Sequence, residues 1–394
     1  MVRLFGSRKC LLRFYLALMV FVPIRAADAA GAKSETLLYS FQNNGADGNI
    51  PNANLTDVDG TLYGTTKYGG ASNVGTVYSI DPSTGAEKVV YSFQNNGADG
   101  ANPVAGLINV NGTLYGTTLY GGVSGAGTVF SITASTGAES VVYAFQNNDA
   151  DGNVPYASLI AVNGTLYGTT LYGGANDGAG TVFSVTPSTG AESVLHSFSN
   201  EDMGGDYPAA GLINVNGTLY GTASLGGEFG NGAVFSINPS TGTYAVRYSF
   251  GNGGDGNTPE SNLIYVRGTL YGTTVSGGPS KVGTVFSVNP STGAEKVLYS
   301  FKNSGGDGKV PVGSLIDATD TLYGTTEGGG ASGVGTVYSI NTSTGAEKLL
   351  YSFKNKGGDG TLPIDGLMDF HKALYGTTTG GGTQNEGTVF KIKP

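Results

Sequence analysis

Residues 107–145 read LINVNGTLYGTTLYGGVSGAGTVFSITASTGAESVVYAF. This stretch holds four segments rich in β-branched and aromatic residues, which favour strands. They cover residues 107–110, 113–118, 127–132 and 140–145. Asn111-Gly112 between the first two is a strong signal for a tight hairpin, and Ser135-Thr136-Gly137 joins the last two. The stretch therefore predicts a four-stranded antiparallel meander with strands A, B, C and D in chain order.

The same pattern recurs along the chain. Leu-Tyr-Gly appears seven times, with its leucine at 62, 114, 166, 219, 270, 322 and 374. Repeats of about 50 residues with four strands each are typical of propeller blades. The sequence predicts an all-β, seven-bladed β-propeller. A parallel β-solenoid is the alternative, but its rungs are far shorter and it has no place for Asn-Gly hairpins.

The chain ends predict how the ring closes. Residues 35–41 read as a strand D with no A, B or C before them, and residues 387–392 read as a strand C with no D after them. We expect the N-terminal strand to complete the last blade, which would pair an otherwise exposed strand edge.

The N-terminal 29 residues have the features of a secretory signal peptide. Basic residues precede a short apolar run at 14–24, which is followed by Ala27-Asp28-Ala29. The run is too short to span a bilayer. We therefore expect a signal peptide at 1–29, a single propeller domain at 30–394, and a secreted, surface or periplasmic location without a membrane span.

Charge and cysteine content exclude several functions. The chain has a formal net charge of −9, and removal of the basic leader makes it more acidic, so nucleic acid is an unsuitable partner. The one cysteine, Cys10, lies in the leader. The mature chain would have no disulfide, thiolate metal site or cysteine nucleophile, and we expect it to be a monomer.

The pattern DGxxP…NGTLYGTTxxGG…GTVFSIxPSTGAEKVLYSF resembles the bacterial GloVer tandem-repeat family of extracellular proteins, over residues 36–392. The resemblance implies a β-propeller at the cell exterior. It implies no particular activity.

Short and long connections between strands alternate, so the long D-to-A and B-to-C loops should share one face, where we expect function.

Most D-to-A loops carry an Asp-Gly pair, which has two interpretations. The aspartates could form a ring of ligand-binding carboxylates, suited to sugar hydroxyls or Ca²⁺. They could instead be turn formers that bond their own backbone. These candidates are Asp47, Asp99, Asp151, Asp255, Asp307 and Asp359.

Tyrosines in the B-to-C loops are further ligand-binding candidates, because their rings can stack on a sugar or a peptide. They are Tyr68, Tyr120 and Tyr172. Packing between neighbouring loops is the alternative interpretation.

The sequence contains no convincing catalytic or cofactor-binding motif. His196 falls in an outer strand and His371 in a tight turn, so neither suits general-base catalysis on the long-loop face. We predict no catalytic residue, no metal site and no cofactor, with Ca²⁺ as the one ion considered.

Two functions follow as hypotheses. The first is an exported, non-catalytic propeller that binds glycans or a cell-envelope partner; the second is a secreted carbohydrate-active lyase or hydrolase that uses carboxylates.

Overall fold

The computed structural model describes residues 35–394 apart from 43, 95, 149, 176–177, 200–202 and 252–253. All regular secondary structure in these residues is β-strand. The expected signal peptide and its boundary with the propeller domain lie outside the described residues. No helix in the described part of the chain is long and apolar enough to cross a membrane.

Seven antiparallel sheets, each with four main strands in the order A-B-C-D, form the blades of a propeller. The fold class predicted from the repeats is confirmed. The A strands of consecutive blades lie side by side from blade 1 to blade 7, which places them around the central axis. The D strands are outermost. In blade 2 the observed bounds differ from the predicted ones by one residue at several ends.

The strand bounds follow, in blade order. Strands A are Thr56–Val58, Ile108–Val110, Ile160–Val162, Ile213–Val215, Ile264–Val266, Ile316–Ala318 and Met368–Phe370. Strands B are Thr61–Gly69, Thr113–Thr118, Thr165–Thr170, Thr218–Ala223, Thr269–Thr274, Thr321–Thr326 and Ala373–Thr378. Strands C are Thr76–Ile80, Thr128–Thr133, Thr181–Thr186, Ala233–Ile237, Thr284–Val288, Thr336–Asn341 and Thr388–Ile392. Strands D are Glu87–Ser92, Glu139–Ala144, Ala191–Ser197, Tyr244–Ser249, Glu295–Ser300, Glu347–Ser352 and, for blade 7, Glu35–Ser40.

The N-terminal strand closes the ring, as predicted. Glu35–Ser40 pairs antiparallel with Thr388–Ile392, and the amide of Phe41 donates to the carbonyl of Gly387 at 3.0 Å. On the next interface the hydroxyl of Thr377 in blade 7 donates to the carbonyl of Ala53 in blade 1 at 3.2 Å. The first and last strands of the described chain are thus held in one blade.

The core lies between blades and not within a single sheet. A phenylalanine just after each strand D packs edge-on against an aromatic ring on strand C of the next blade, with centroids 4.9–5.3 Å apart. The seven phenylalanines are almost fully buried. They are Phe41, Phe93, Phe145, Phe198, Phe250, Phe301 and Phe353. Because each blade contributes to two interfaces, the blades stabilise one another.

The glycine within strand B has a different role from the one the sequence suggests. We would expect close approach between sheets at this position. Instead, a Cβ on Gly116 would lie 2.6 Å from the ring of Phe130, which is on strand C of the same blade, and 2.9 Å from Leu107. Glycine therefore makes room for an aromatic ring within its own blade.

The long loops lie together on one face, as predicted. In blade 2 the D-to-A and B-to-C loops pair through Gly100 with Gly121 and Ala101 with Tyr120. Further short loop strands are Gly48–Pro51, Gly100–Ala101, Tyr120–Gly121, Gly152–Asn153, Tyr172–Gly173, Gly256–Asn257, Ser276–Gly277, Gly308–Lys309, Gly328–Gly329, Gly360–Thr361 and Gly380–Gly381.

The residue before the loop proline links one blade to the next. Val154 has a φ of 57°, a costly conformation for a β-branched residue. Its amide donates to Ala126 of the preceding blade and its carbonyl accepts from Leu171, each at 3.0 Å. These bonds hold the base of the loop in place and so set the direction of the residues that follow.

Candidate functional site

The aspartates that recur in the D-to-A loops form hydrogen bonds within their own loops. The Oδ2 atom of Asp151 accepts hydrogen bonds from the Tyr143 hydroxyl at 2.7 Å and from the Gln146 amide at 2.6 Å. Its Oδ1 atom accepts from the Gly152 amide at 2.6 Å. The side chain is only 6% exposed. This carboxylate therefore fastens the D-to-A loop to the outer strand from which the loop departs.

Each of the other five aspartates accepts a hydrogen bond from the equivalent tyrosine of its own junction. The hydroxyl-to-carboxylate distances are 2.6–2.9 Å for Tyr39 to Asp47, Tyr91 to Asp99, Tyr248 to Asp255, Tyr299 to Asp307 and Tyr351 to Asp359. This geometry favours the turn-former interpretation. A contact between these carboxylates and a ligand stays a prediction. Among the described residues no three His, Cys, Asp or Glu side chains are grouped so that they could hold a metal ion.

Each of these tyrosine-aspartate pairs also faces a glutamate on strand D of the next blade around the ring. Glu139, for example, is half-buried beside Asp99, and its Oε1 atom is buried without a hydrogen-bond partner. Burial first, and the charge of the aspartate second, raise the glutamate pKa values to about 7. The six glutamates are Glu35, Glu87, Glu139, Glu192, Glu295 and Glu347. Sequence reasoning missed them, because five lie about 40 residues from their aspartate and Glu35 lies near the opposite end of the chain from Asp359.

The candidate tyrosines lie on the rim of the long-loop face. Tyr120 is 51% exposed and Tyr172 is 37% exposed. The ring of Tyr172 meets that of Tyr207 edge-on, with centroids 5.6 Å apart. The ammonium group of Lys67 lies 5.3 Å from the centre of the Tyr68 ring. Tyr172 therefore combines an exposed ring with a neighbour that fixes it, which suits contact with a ligand. For all three tyrosines that role stays a prediction.

A second group of residues surrounds the opening of the central channel on this face, and we call it the channel mouth. It is formed by the short segments that follow the loop prolines of all seven blades. The first residue of each segment varies between blades, and only valine occurs twice. These residues are Asn52, Val104, Tyr156, Ala209, Glu260, Val312 and Ile364. Sequence reasoning missed this site because it followed what the repeats share, whereas the signal is the position at which they differ.

Two positions further on in each blade, a polar residue or a glycine contributes to the floor of the channel mouth. These residues are Asn54, Gly106, Ser158, Gly211, Asn262, Ser314 and Gly366. The side-chain Oδ1 atom of Asn262 accepts a hydrogen bond from the backbone amide of Gly211 at 2.6 Å. The backbone amide of Asn262 donates to the Ser314 hydroxyl at 3.1 Å. A Cβ on Gly211 would lie 3.1 Å from the same Oδ1 atom. The space above this floor is about 70 Å³. That is well below the several hundred Å³ of a pocket that encloses a ligand.

Carboxyl groups dominate the electrostatics of the channel mouth. Burial, with a further contribution from Glu327, raises the pKa of Glu260 to about 7. Burial also raises the pKa of Asp365 to about 7. The described residues that line the mouth include no Lys, Arg or His. Near neutral pH such carboxyl groups can either donate or accept a hydrogen bond, as hydroxyl-bearing ligands require.

The histidines lie where the sequence predicts. His196 is in the outer strand Ala191–Ser197, and His371 is in the tight turn between strands A and B of blade 7. Neither is part of the channel mouth.

The fold and the channel mouth define a seven-bladed propeller with one asymmetric face. The Gloeobacter/Verrucomicrobia repeat matches residues 25–179 and 172–390. The chain belongs to this family, which confirms the resemblance found in the sequence. Comparison with curated proteins gave no match.

Several solved structures share the fold at low sequence identity. An oligogalacturonate lyase in complex with manganese has a TM-score of 0.54 and 14% identity, over 93% of this chain and 98% of that one. The oligogalacturonate lyase from Vibrio parahaemolyticus has a TM-score of 0.54 and 10% identity, over 92% and 97%. An extracellular domain assigned to a hybrid two-component system from B. thetaiotaomicron has a TM-score of 0.59 and 12% identity, over 91% of this chain and 39% of that one. These likenesses show the fold alone.

Proposed function

We propose that this protein is an exported, non-catalytic binding propeller whose channel mouth takes a glycan or another hydroxyl-rich cell-envelope component. One observation carries the proposal. Seven nearly identical repeats differ where they face the channel mouth, with Asn52, Tyr156 and Glu260 in equivalent positions of different blades. A purely structural ring needs no such difference, whereas an asymmetric ligand does.

The chemistry of the mouth supports a neutral, hydroxyl-rich ligand. Amide and carboxyl groups donate and accept hydrogen bonds, and the exposed ring of Tyr156 offers an apolar surface beside them. Because the space is shallow, the ligand would rest on the face and not be enclosed. Export is supported by the leader-like N-terminus and by the fold shared with an extracellular domain.

A glycan array probed with the purified protein tests this function, followed by affinity measurements on the strongest neutral ligand. We expect Tyr156→Ala and Glu260→Ala each to weaken binding by about tenfold, equivalent to about 1.4 kcal/mol. Asp317→Ala is the matched control, since Asp317 is exposed on strand A near the opposite face. Absence of glycan binding, or unchanged affinity in both mouth variants, would refute the proposal.

A carbohydrate-active enzyme is the second candidate, and the raised pKa values of Glu260 and Asp365 favour it. A carboxyl group that titrates near neutral pH can serve as a general acid or base. Prolonged incubation with polysaccharides, followed by analysis of product size, separates the two functions. Chain cleavage that disappears in Glu260→Gln would support the enzyme, and intact polysaccharide with measurable binding would support the binding protein.

A further inference from the structure

The rim around the channel mouth is aromatic on one side only. At the same position of the B-to-C loop, blades 1 to 3 carry Tyr68, Tyr120 and Tyr172. The equivalent residues of the other blades are Leu225, Ser276, Gly328 and Gly380. The rings therefore lie together over three adjacent blades, whereas the acidic residues Glu260, Glu327 and Asp365 belong to blades 5 to 7.

Part of this aromatic surface joins the channel mouth directly. Tyr172 pairs with Asn153, three residues before Tyr156 in the same D-to-A loop. Tyr207, which meets Tyr172 edge-on, lies two residues before the mouth residue Ala209. Tyr172 and Tyr207 are thus in ring contact beside the loops that carry the mouth residues Tyr156 and Ala209. We call Tyr156, Tyr172 and Tyr207, together with Tyr120 at the equivalent rim position of blade 2, the aromatic path.

We propose that this path binds a neutral β-1,4-linked oligosaccharide, one end of which reaches the channel mouth while further sugars stack on the tyrosines. The inference rests on the proposed function and specifies its ligand class. Sugars with equatorial linkages form extended chains with flat C–H faces, which match tyrosine rings that combine an apolar face with a hydroxyl group.

Two alternatives fit the surface less well. An anionic chain would meet the carboxyl groups of the mouth, which carry no basic residue to offset them among the described lining residues. A peptide would need a pocket for an anchoring side chain, but the space at the mouth is only about 70 Å³. An uncharged chain that lies along the surface requires neither.

Calorimetric titration with cellobiose, cellohexaose and xylohexaose tests the inference. We expect at least one hexasaccharide to bind ten times or more tighter than cellobiose, because it reaches several rings. Tyr172→Ala should weaken hexasaccharide binding by about three- to tenfold, as loss of one stacking contact does. Tyr120→Ala should act in the same direction. Tyr172→Phe should retain the affinity and thereby show that the ring, and not the fold, is responsible.

Tyr265→Ala is the matched control, because Tyr265 is an exposed tyrosine on strand A beside the tight turn at Arg267-Gly268. It should leave binding unchanged. Three results would overturn the inference: no binding of either hexasaccharide, no hexasaccharide that binds tighter than cellobiose, or unchanged affinity in both Tyr→Ala rim variants. Glycan-array binding with any of these results would leave the proposed function intact. An array without any glycan bound would refute both.

Discussion

The imidazole ring of His196 is stacked on the phenol ring of Tyr244, with centroids 3.9 Å apart and planes 1° from parallel. This pair replaces the tyrosine and glutamate found at the other six junctions. Gly204 stands where those junctions have the loop aspartate, and its carbonyl accepts a hydrogen bond from the Tyr244 hydroxyl. Three positions of one junction have thus changed together, and ring stacking takes the place of carboxylate hydrogen bonds.

If the stacked pair acts as a unit, its two residues should be energetically coupled. A double-mutant cycle with His196→Ala, Tyr244→Ala and the double variant, measured by urea unfolding, should give a coupling of about 0.5–1.5 kcal/mol. A second cycle with His196→Ala and Val246→Ala is the control, because Val246 is an exposed residue on the same strand as Tyr244. Additive free energies for His196 and Tyr244 would contradict the prediction.

The overall architecture could be predicted from the sequence because every local signal is repeated seven times. Strand order, the shared face of the long loops and closure by residues 35–40 all follow from hairpin signals and loop lengths. Co-ordinated changes could not be predicted. Blade 4 replaces the hydroxyl pair formed by Thr118 and Thr128 in blade 2 with Ala223 and Ala233. Only the pairing of strands B and C shows that these positions touch.

The candidate site was predicted in part. The long loops share one face, as the sequence predicts, and a functional role for that face stays a prediction. Asp151 and its equivalents are prominent in the sequence because they recur. Residues such as Glu260 and Tyr156 recur in no other blade at the equivalent position, and only the ring geometry brings them together at the channel mouth. In a repeat protein the shared positions report on packing, and the differing positions are the better guide to an asymmetric ligand.

Replacement of Asp151 by alanine should destabilise the fold. The change leaves the Tyr143 hydroxyl and the Gln146 and Gly152 amides without their acceptor. We expect a loss of about 2–4 kcal/mol in the free energy of unfolding, measured with urea. Asp317→Ala, at an exposed position, should stay within about 0.5 kcal/mol of the parent. A similarly small effect at Asp151 would argue against its role in fastening the loop.

Calcium provides an independent test of the same loops. An ion that binds only the folded state stabilises it, by about 2.7 kcal/mol at a hundredfold excess over its Kd. We expect thermal melting curves in EDTA and in millimolar Ca²⁺ to superimpose, because the Asp151 carboxylate already accepts three hydrogen bonds. A higher Tm in Ca²⁺ that disappears in Asp151→Asn would instead identify a calcium site.

Closure of the ring depends on the N-terminal strand and on Phe41 beyond it. Deletion of residues 30–41 removes the partner of Thr388–Ile392 and should cause aggregation or loss of cooperative unfolding. Phe41→Ala tests the same junction with one side chain and should cost about 3–5 kcal/mol, as should Phe145→Ala in a continuous part of the chain. Leu37→Ala, on the exposed side of the strand, is the control. A monomeric deletion variant with an unchanged Tm would contradict closure.

The six glutamates beside the loop aspartates predict how stability depends on pH. Their folded-state pKa of about 7 lies above the ordinary value of 4.5, mainly through burial. The folded protein therefore binds these protons more tightly than the unfolded chain does. The resulting stabilisation is complete below about pH 4.5 and is lost as the pH rises through 7. Because the groups are half-buried, solvent screening reduces the size of the effect but not its direction.

We accordingly expect the Tm to fall between pH 5 and pH 8, and Glu→Gln variants to reduce that fall. Glutamine resembles the protonated glutamate at all pH values, so Glu139→Gln should raise the Tm at pH 8 and change it little at pH 5. Combination with Glu87→Gln and Glu192→Gln should flatten the profile further, since these residues lie at separate junctions. Glu228→Gln, at an exposed position of a B-to-C loop, should leave the profile unchanged. A parent profile that rises from pH 5 to pH 8, or a Glu139→Gln variant with the parent profile, would show that these glutamates do not control the pH dependence.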